Sequence, residues 1–206
     1  MSSANPLKVS VYIDGFNLYH AILAERDHKL KWLNMRLLAQ SFVGRDEILK
    51  DVVFFTAILT WNHEKQKRHK NYIAALKAVG VEIVESNFKR IGRKNYEEKQ
   101  TDVQIALRMY QDAVHGGVDR LILVTADSDQ VPTVRAIRER CPYATVTLAA
   151  PPGRETAARE LGSIVHHRTP ISSGRLRTCL LPRDVYDSAG RKVATMPALY
   201  AERFSD

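Results

Sequence analysis

Apolar residues in this chain fall into two alternating patterns. Short continuous runs rich in β-branched and aromatic residues recur at Val9–Ile13, Val52–Leu59, Val81–Val84, Leu121–Thr125 and Ala144–Leu148, with a weaker one at Ile164–His166. Such runs, bounded by polar or glycine residues, predict strands buried on both faces. Between them the apolar positions shift to helical spacing. Asn17 to about Glu25 presents Leu18, Ala21 and Ile22 on one face, and Asn34 to Phe42 reads as a helix capped by Asn34 with Leu37 and Leu38 inside. Asn62–Val79, closed by Gly80, turns Tyr72, Ile73, Leu76 and Val79 inward. Thr101–Val114 opens with Thr101 and Gln104 at capping-box spacing, Val131–Cys141 carries Pro132 in its first turn, and Arg159–Ser163 is a short helix.

Strands alternating with helices predict an α/β fold, a Rossmann-like three-layer arrangement with a mainly parallel central sheet. Two stretches break the alternation. Ser86–Gln100 is polar and reads as an interruption. After about Thr169 the pattern ends, and Val185–Val193 reads as a hairpin around Gly190, so residues 1–168 form the expected domain and 169–206 a C-terminal extension.

Composition adds little except through its distribution. With 45% hydrophobic and 26% charged residues, the chain has the profile of an ordinary globular protein. It shows neither a spanning segment nor a signal peptide, and Cys141 and Cys179 are too few for a disulfide framework. A reducing cytoplasm is therefore the expected compartment, with no membrane partner. The net charge of +8 is uneven: residues 61–100 and 135–206 each carry +5, residues 101–134 carry −3. One acidic island lies between two basic flanks, an arrangement that calls for a polyanion on the outside and a cation within.

Candidate chemistry concentrates at the ends of strands. The first strand ends in Asp14, and the fourth is followed by Asp127 and Asp129. Asp102 lies three residues before Ile105 and four before Ala106, on the inward stripe of its helix that continues through Met109 and Ala113. Ligands of open α/β sheets bind beyond the carboxyl ends of the strands, where these four carboxylates would converge. Each could instead serve as a cap or a turn residue. Together, unneutralised, they would raise one another's pKa, a conflict that a divalent cation resolves. Oxygen-only ligands favour Mg²⁺ or Mn²⁺. Carboxylates holding such ions are a standard apparatus for phosphodiester hydrolysis. Asn17 could orient a carboxylate or substrate, or cap its helix, while Thr125 and Ser128 are supporting hydroxyls.

The segment Phe88–Tyr96 interleaves cations with aromatics immediately ahead of Asp102. Lys89, Arg90, Arg93, Lys94 and Lys99 are candidate phosphate contacts, and Phe88 or Tyr96 candidate stacking platforms for bases. A solvated loop is the alternative for these residues. No G-x-G-x-x-G, Walker A, H-x-x-x-H or G-x-S-x-G pattern is present.

Three segments in order now resemble a known family: Asp14-Gly15-Phe16-Asn17-Leu18-Tyr19, Lys99-Gln100-Thr101-Asp102-Val103, and Thr125-Ala126-Asp127-Ser128-Asp129-Gln130-Val131-Pro132. Over roughly residues 8–168 the chain resembles the NYN domain family, a branch of the PIN-like metal-dependent nucleases that includes LabA-like bacterial proteins. The tail around Leu181-Pro182, Gly190 and Pro197 is similar to the LabA-like extension. The resemblance implies an endoribonuclease with an Mg²⁺ or Mn²⁺ site and RNA, single-stranded for preference, as substrate. By position it assigns the acidic residues to Asp14, Asp102, Asp127 and Asp129 and the polar Asn to Asn17. Ala126 and Gln130 depart from the family's usual Gly and aromatic, which bears on the geometry of that loop. Two rivals stand beside it: an inactive NYN fold serving as a regulatory RNA- or protein-binding module, and a haloacid-dehalogenase-type phosphatase suggested by Asp127-x-Asp129. A homo-oligomer is compatible with all three.

Overall fold

The structure, a computed structural model, describes residues 5–58, 61–91 and 95–201, with backbone alone for 87–91 and 95–99. Its frame is a seven-stranded sheet. The first strand, β1 (Leu7–Asp14), is followed by helices α1 (Gly15–Ala24) and α2 (Met35–Gln40), then β2 (Glu47–Ala57), α3 (His63–Ala78) and β3 (Glu82–Ile91). An edge strand β4 (Asn95–Lys99) leads into α4 (Thr101–Val114), β5 (Arg120–Val124), α5 (Val131–Arg140), β6 (Thr145–Leu148), α6 (Arg159–Ile164) and β7 (His167–Arg168). The strand order is β4-β3-β2-β1-β5-β6-β7, in which only β4 is antiparallel. Six parallel strands flanked by helices match the expected fold class.

Period-two alternation within the apolar strands feeds two cores. Val9, Val11 and Ile13 of β1 join Ile122 and Val124 of β5 on the face covered by α1, α2 and α3. Tyr12, Leu121 and Leu123 point the other way, against Ile105, Met109 and Ala113 of α4 and Val134 and Ile137 of α5. Neither face of the central strands meets water, which is why they read as uninterrupted apolar runs. Among the described residues, no helix is long and apolar enough to cross a membrane.

Several local expectations require correction. The polar stretch Ser86–Gln100 does not interrupt the sheet. β3 runs on to Ile91 and pairs antiparallel with β4, Asn87 opposite Lys99 and Ile91 opposite Asn95. A ladder at a sheet edge satisfies its backbone groups without an apolar pattern. No capping box opens α4: Gln100 occupies the cap in the left-handed region at φ 79°. Thr101 instead donates to the Ser86 hydroxyl at 2.7 Å, and Ser86 donates to Gln104 Oε1 at 2.6 Å. Leu37 is 43% exposed, leaving Leu38 to fill the core beneath α2. The sixth parallel strand is His167–Arg168, shifted past Ile164–His166, because α6 extends to Ile164.

The C-terminal segment folds back over the α1–α3 face. A short helix α7 (Ser173–Thr178) is followed by the antiparallel pair β8 (Asp184–Tyr186) and β9 (Lys192–Thr195), and by a last turn of helix, α8 (Ala198–Ala201). Ile171, Leu176, Cys179, Leu181, Val185 and Ala194 lie in the same apolar cluster as Val11 and Leu18. Main-chain bonds tie it down as well, from Asn34 N–H to the Cys179 carbonyl at 2.8 Å and from Leu181 N–H to the Trp32 carbonyl at 3.0 Å.

Candidate metal centre

The direction of chain progression reverses at β1. The chain moves from β1 outward to β2 and β3, then crosses back through α4 to place β5 on the other side of β1. The carboxyl ends of β1 and β5 therefore border a crevice at the topological switch point. Asp14 is the last residue of β1, and Thr125–Asp129 follow directly on β5.

Local chemistry fixes each side chain there. Asp14 caps α1, its Oδ1 accepting from the Asn17 N–H at 2.9 Å. Its other oxygen accepts from the buried Thr125 hydroxyl at 2.9 Å, linking the ends of the two strands. Asn17 Oδ1 accepts from the Ala126 N–H at 3.0 Å, a second tie across the same gap. Asp127 caps the 3₁₀ turn Ser128–Gln130, its Oδ1 accepting from the Asp129 N–H at 3.0 Å, while its own N–H donates to Thr125 Oγ1 at 3.1 Å. The loop is thus a closed set of short bonds that aims its carboxylates outward over the crevice.

Asp102 enters from the first turn of α4. One carboxylate oxygen from each of Asp102, Asp127 and Asp129 lies within 4.8 Å of the other two. Three hard oxygen donors at that separation fit a divalent cation: like charges so close repel, and a shared ion relieves the repulsion. The cluster could hold a metal on the donor set alone. Asp14 lies outside that group of three but within its field. Burial, with the charges of Asp102 and Asp127, pushes the Asp14 carboxyl up to about 6 against the downward pull of the Asn17 N–H and Thr125 hydroxyl. Asp102 is raised too, by burial first and then by Asp127 and Asp129, with the Gln130 amide pulling it down.

Of the residues singled out in the sequence, Asp14, Asn17, Asp102, Thr125, Asp127 and Asp129 all meet at this crevice, while Ser128 is exposed beside it. Arg93 and Lys94 lie outside the described residues, and the side chains of Phe88, Lys89, Arg90, Tyr96 and Lys99 do as well. The backbone of these five runs along the β3–β4 ribbon, whose last residue is two positions before Thr101.

Gln130 was legible only as an unusual residue. It is fully buried, its Nε2 donating to the Asp102 carbonyl at 3.1 Å and more weakly to Asp102 Oδ1 at 3.3 Å, while its Oε1 accepts from Thr133 at 3.1 Å. It holds the start of α4 against the start of α5, and so sets where Asp102 stands relative to Asp127. Its position directly after Asp-Ser-Asp was the available signal; its partner is 28 residues away.

The family described as the NYN domain matches residues 8–171. The chain is also 25% identical over 240 aligned positions to 6-hydroxy-3-succinoylpyridine 3-monooxygenase HspA of Pseudomonas putida (strain DSM 28022 / S16), an alignment covering 94% of this chain and 75% of that protein. Among solved structures, a protein of unknown function, VPA0982 of Vibrio parahaemolyticus RIMD 2210633, shares the fold with a TM-score of 0.59 and 23% identity, over 88% of this chain and 100% of that one.

Proposed function

Because this chain belongs to the NYN domain family, a nuclease family, we propose that it is a metal-dependent endoribonuclease. The observation that carries this reading is the convergence of Asp102, Asp127 and Asp129 within 4.8 Å at the switch point of the sheet. These three would hold Mg²⁺ or Mn²⁺, the ions suited to a site of carboxylate oxygens. When bound, such an ion supplies positive charge against the phosphate and acidifies a nearby water. Asp14 would stand beside the ion as an acceptor for a proton released at the site, its two oxygens held by the Thr125 hydroxyl and the Asn17 N–H. Asn17 keeps the loop after β5 in register with Asp14.

RNA is the substrate favoured by family and by charge. Lys89, Arg90, Arg93, Lys94 and Lys99 belong to the +5 segment that runs directly into α4, and phosphate contacts from them would guide a strand toward Asp102. Tyr96 would stack on a base. The oxygenase activity in the name of the Pseudomonas relative is not carried over: at 25% identity the match supports the shared domain, not a shared substrate.

The test is cleavage of a labelled single-stranded RNA by pure protein with Mn²⁺. Asp127→Asn and Asp102→Asn should each lower the rate by about 100-fold or more, since each removes a charged ligand from the cation. Their melting temperatures should also lose the rise that Mn²⁺ gives the unmodified protein. Cleavage that survives both substitutions would refute the assignment.

A further inference from the structure

A second concavity opens on the other side of α1. It is a cavity of about 490 Å³, of the size that takes small ligands, between α1, α3, the turn at residues 28–32 and the C-terminal helix α8. Thr56 and Ala57 at the end of β2 and Gly15 at the start of α1 are among its lining residues, so it lies at the same edge of the sheet as the acidic cluster. Its chemistry is the opposite. The rings of Phe16, Tyr72 and Tyr200 line it, and among the described residues the lysines and arginines that line it are Lys31, Lys65 and Arg68, with no carboxylate beside them.

Among the described residues these cations have no close carboxylate partner, and Arg68 instead reaches the Tyr200 hydroxyl. Arg68 meets Glu64 at 3.9 Å, a long pair whose carboxylate is 75% exposed and which therefore does little to neutralise the guanidinium. Among the described residues, neither Lys31 nor Lys65 has a carboxylate at ion-pair distance. The Lys31 ammonium rests over the Tyr200 ring, 5.8 Å from its centre. Burial and the charge of Arg68 hold the Lys31 amine below its ordinary range. Two cations turned toward one apolar space oppose each other until an anion enters between them. The aromatic walls require that the anion carry a flat apolar body. Tyr72 is already fixed, its hydroxyl donating to the Leu33 carbonyl at 2.7 Å and its ring tilted against Trp32 at 5.7 Å, so the wall is rigid before any ligand arrives.

We propose that this cavity binds a planar ring bearing an anionic group, its ring against Phe16, Tyr72 and Tyr200 and its charge on Lys31 and Arg68. The proposal rests on the cavity and its lining, and not on phosphodiester hydrolysis. Two sources offer that chemistry: a nucleotide of a nucleic acid strand crossing the sheet edge, or a free aromatic acid.

Calorimetric titration of the full chain tests it, with adenosine 5′-monophosphate and uridine 5′-monophosphate representing the first source and pyridine-3-carboxylate the second. Adenosine, pyridine-3-carboxamide and inorganic phosphate serve as controls lacking the charge or the ring. Saturable binding of at least one ring anion is expected, at least about tenfold tighter than its controls. It should weaken about tenfold or more in Arg68→Ala, with unchanged melting temperature, and in Tyr200→Leu, which keeps an apolar side chain against the core, and stay the same in Asp127→Asn. A preference for the nucleotides supports the first source, and a preference for the pyridine acid the second. Absence of saturable binding for all three anions, equal binding of the neutral controls, or binding that Asp127→Asn abolishes while Arg68→Ala leaves it intact would each overturn the proposal.

Discussion

Asp14 shows how one side chain can serve structure and chemistry at once. As the cap of α1 it satisfies a helix N–H, and as the acceptor for Thr125 it stitches β1 to β5. Burial makes its charge costly, so the folded protein holds the proton up to about 6, against 3.8 for an unperturbed carboxyl. In metal-free protein, then, Asp14 contributes stability that is fully present below the unfolded value and is lost as the pH rises through the folded one. Asp14→Asn cannot titrate. Between about pH 4 and pH 7.5, in the presence of a chelator, the stability of the variant relative to the unmodified protein should improve by about 2–2.5 kcal/mol, measured by urea denaturation. Parallel pH curves for the two proteins would show that burial does not perturb this carboxyl. The comparison across pH is the informative one, since the Asn amide also disturbs one of the two hydrogen bonds at every pH. The acidic island itself divides at this scale. Asp112 accepts from Tyr12 and Arg108, and Asp119 accepts from the Lys8 N–H, so only the other three acids of residues 101–134 are free to converge.

At the scale of elements, the entry into α1 decides how closely the helix approaches the sheet. A β-carbon on Gly15 would stand 2.6 Å from the Phe55 carbonyl oxygen and 2.6 Å from the Phe54 ring. The oxygen belongs to a ladder strand and cannot yield. Gly15→Ala should therefore destabilise by about 1–3 kcal/mol despite the better helix propensity of alanine. Gly174, in α7, supplies the control, because its nearest neighbour would be the Ser172 hydroxyl at 3.9 Å. Gly174→Ala should stabilise by about 0.4–1 kcal/mol. Denaturation midpoints that move in the same direction for both variants would contradict this reading. The Asp-Gly pair was visible in the sequence as a strand end, but a turn and a close helix–strand approach look alike there. Similarly, the polar residues of β3 and β4 carried no apolar period, and an edge ladder leaves none to find.

For the whole molecule, the segment after Thr169 is bound into the core beneath α1–α3 by Leu176, Leu181, Val185 and Ala194, and by the Trp32 indole donating to the Pro182 carbonyl at 2.9 Å. Asn71 adds paired bonds with the backbone of Thr195. A chain ending at Thr169 would expose that face, each large side chain losing about 1.5–3 kcal/mol of burial, a total exceeding the stability of most domains. It should lose cooperative thermal unfolding and bind a hydrophobic dye; a sharp melting transition in that truncation would show the segment to be dispensable. Charge is likewise settled only at this scale. The +8 total conceals an acidic crevice and a cationic cavity that open at one edge of the sheet on either side of α1.

By itself the sequence determined the alternation of strands and helices, the parallel sheet and the identity of the acidic residues, because burial on both faces and helical periodicity are local properties written in consecutive positions. Only the tertiary structure decided which acids meet. Asp102 and Asp127 are 25 positions apart in the chain, and what brings them together is the crossover through α4 and the buried bond from Gln130, neither of which leaves a periodic trace. The cationic cavity was hidden for the same reason. Lys31, Arg68 and Tyr200 come from three distant segments, each of which reads in isolation as a solvated or core position, and it takes the fold to turn them toward one space.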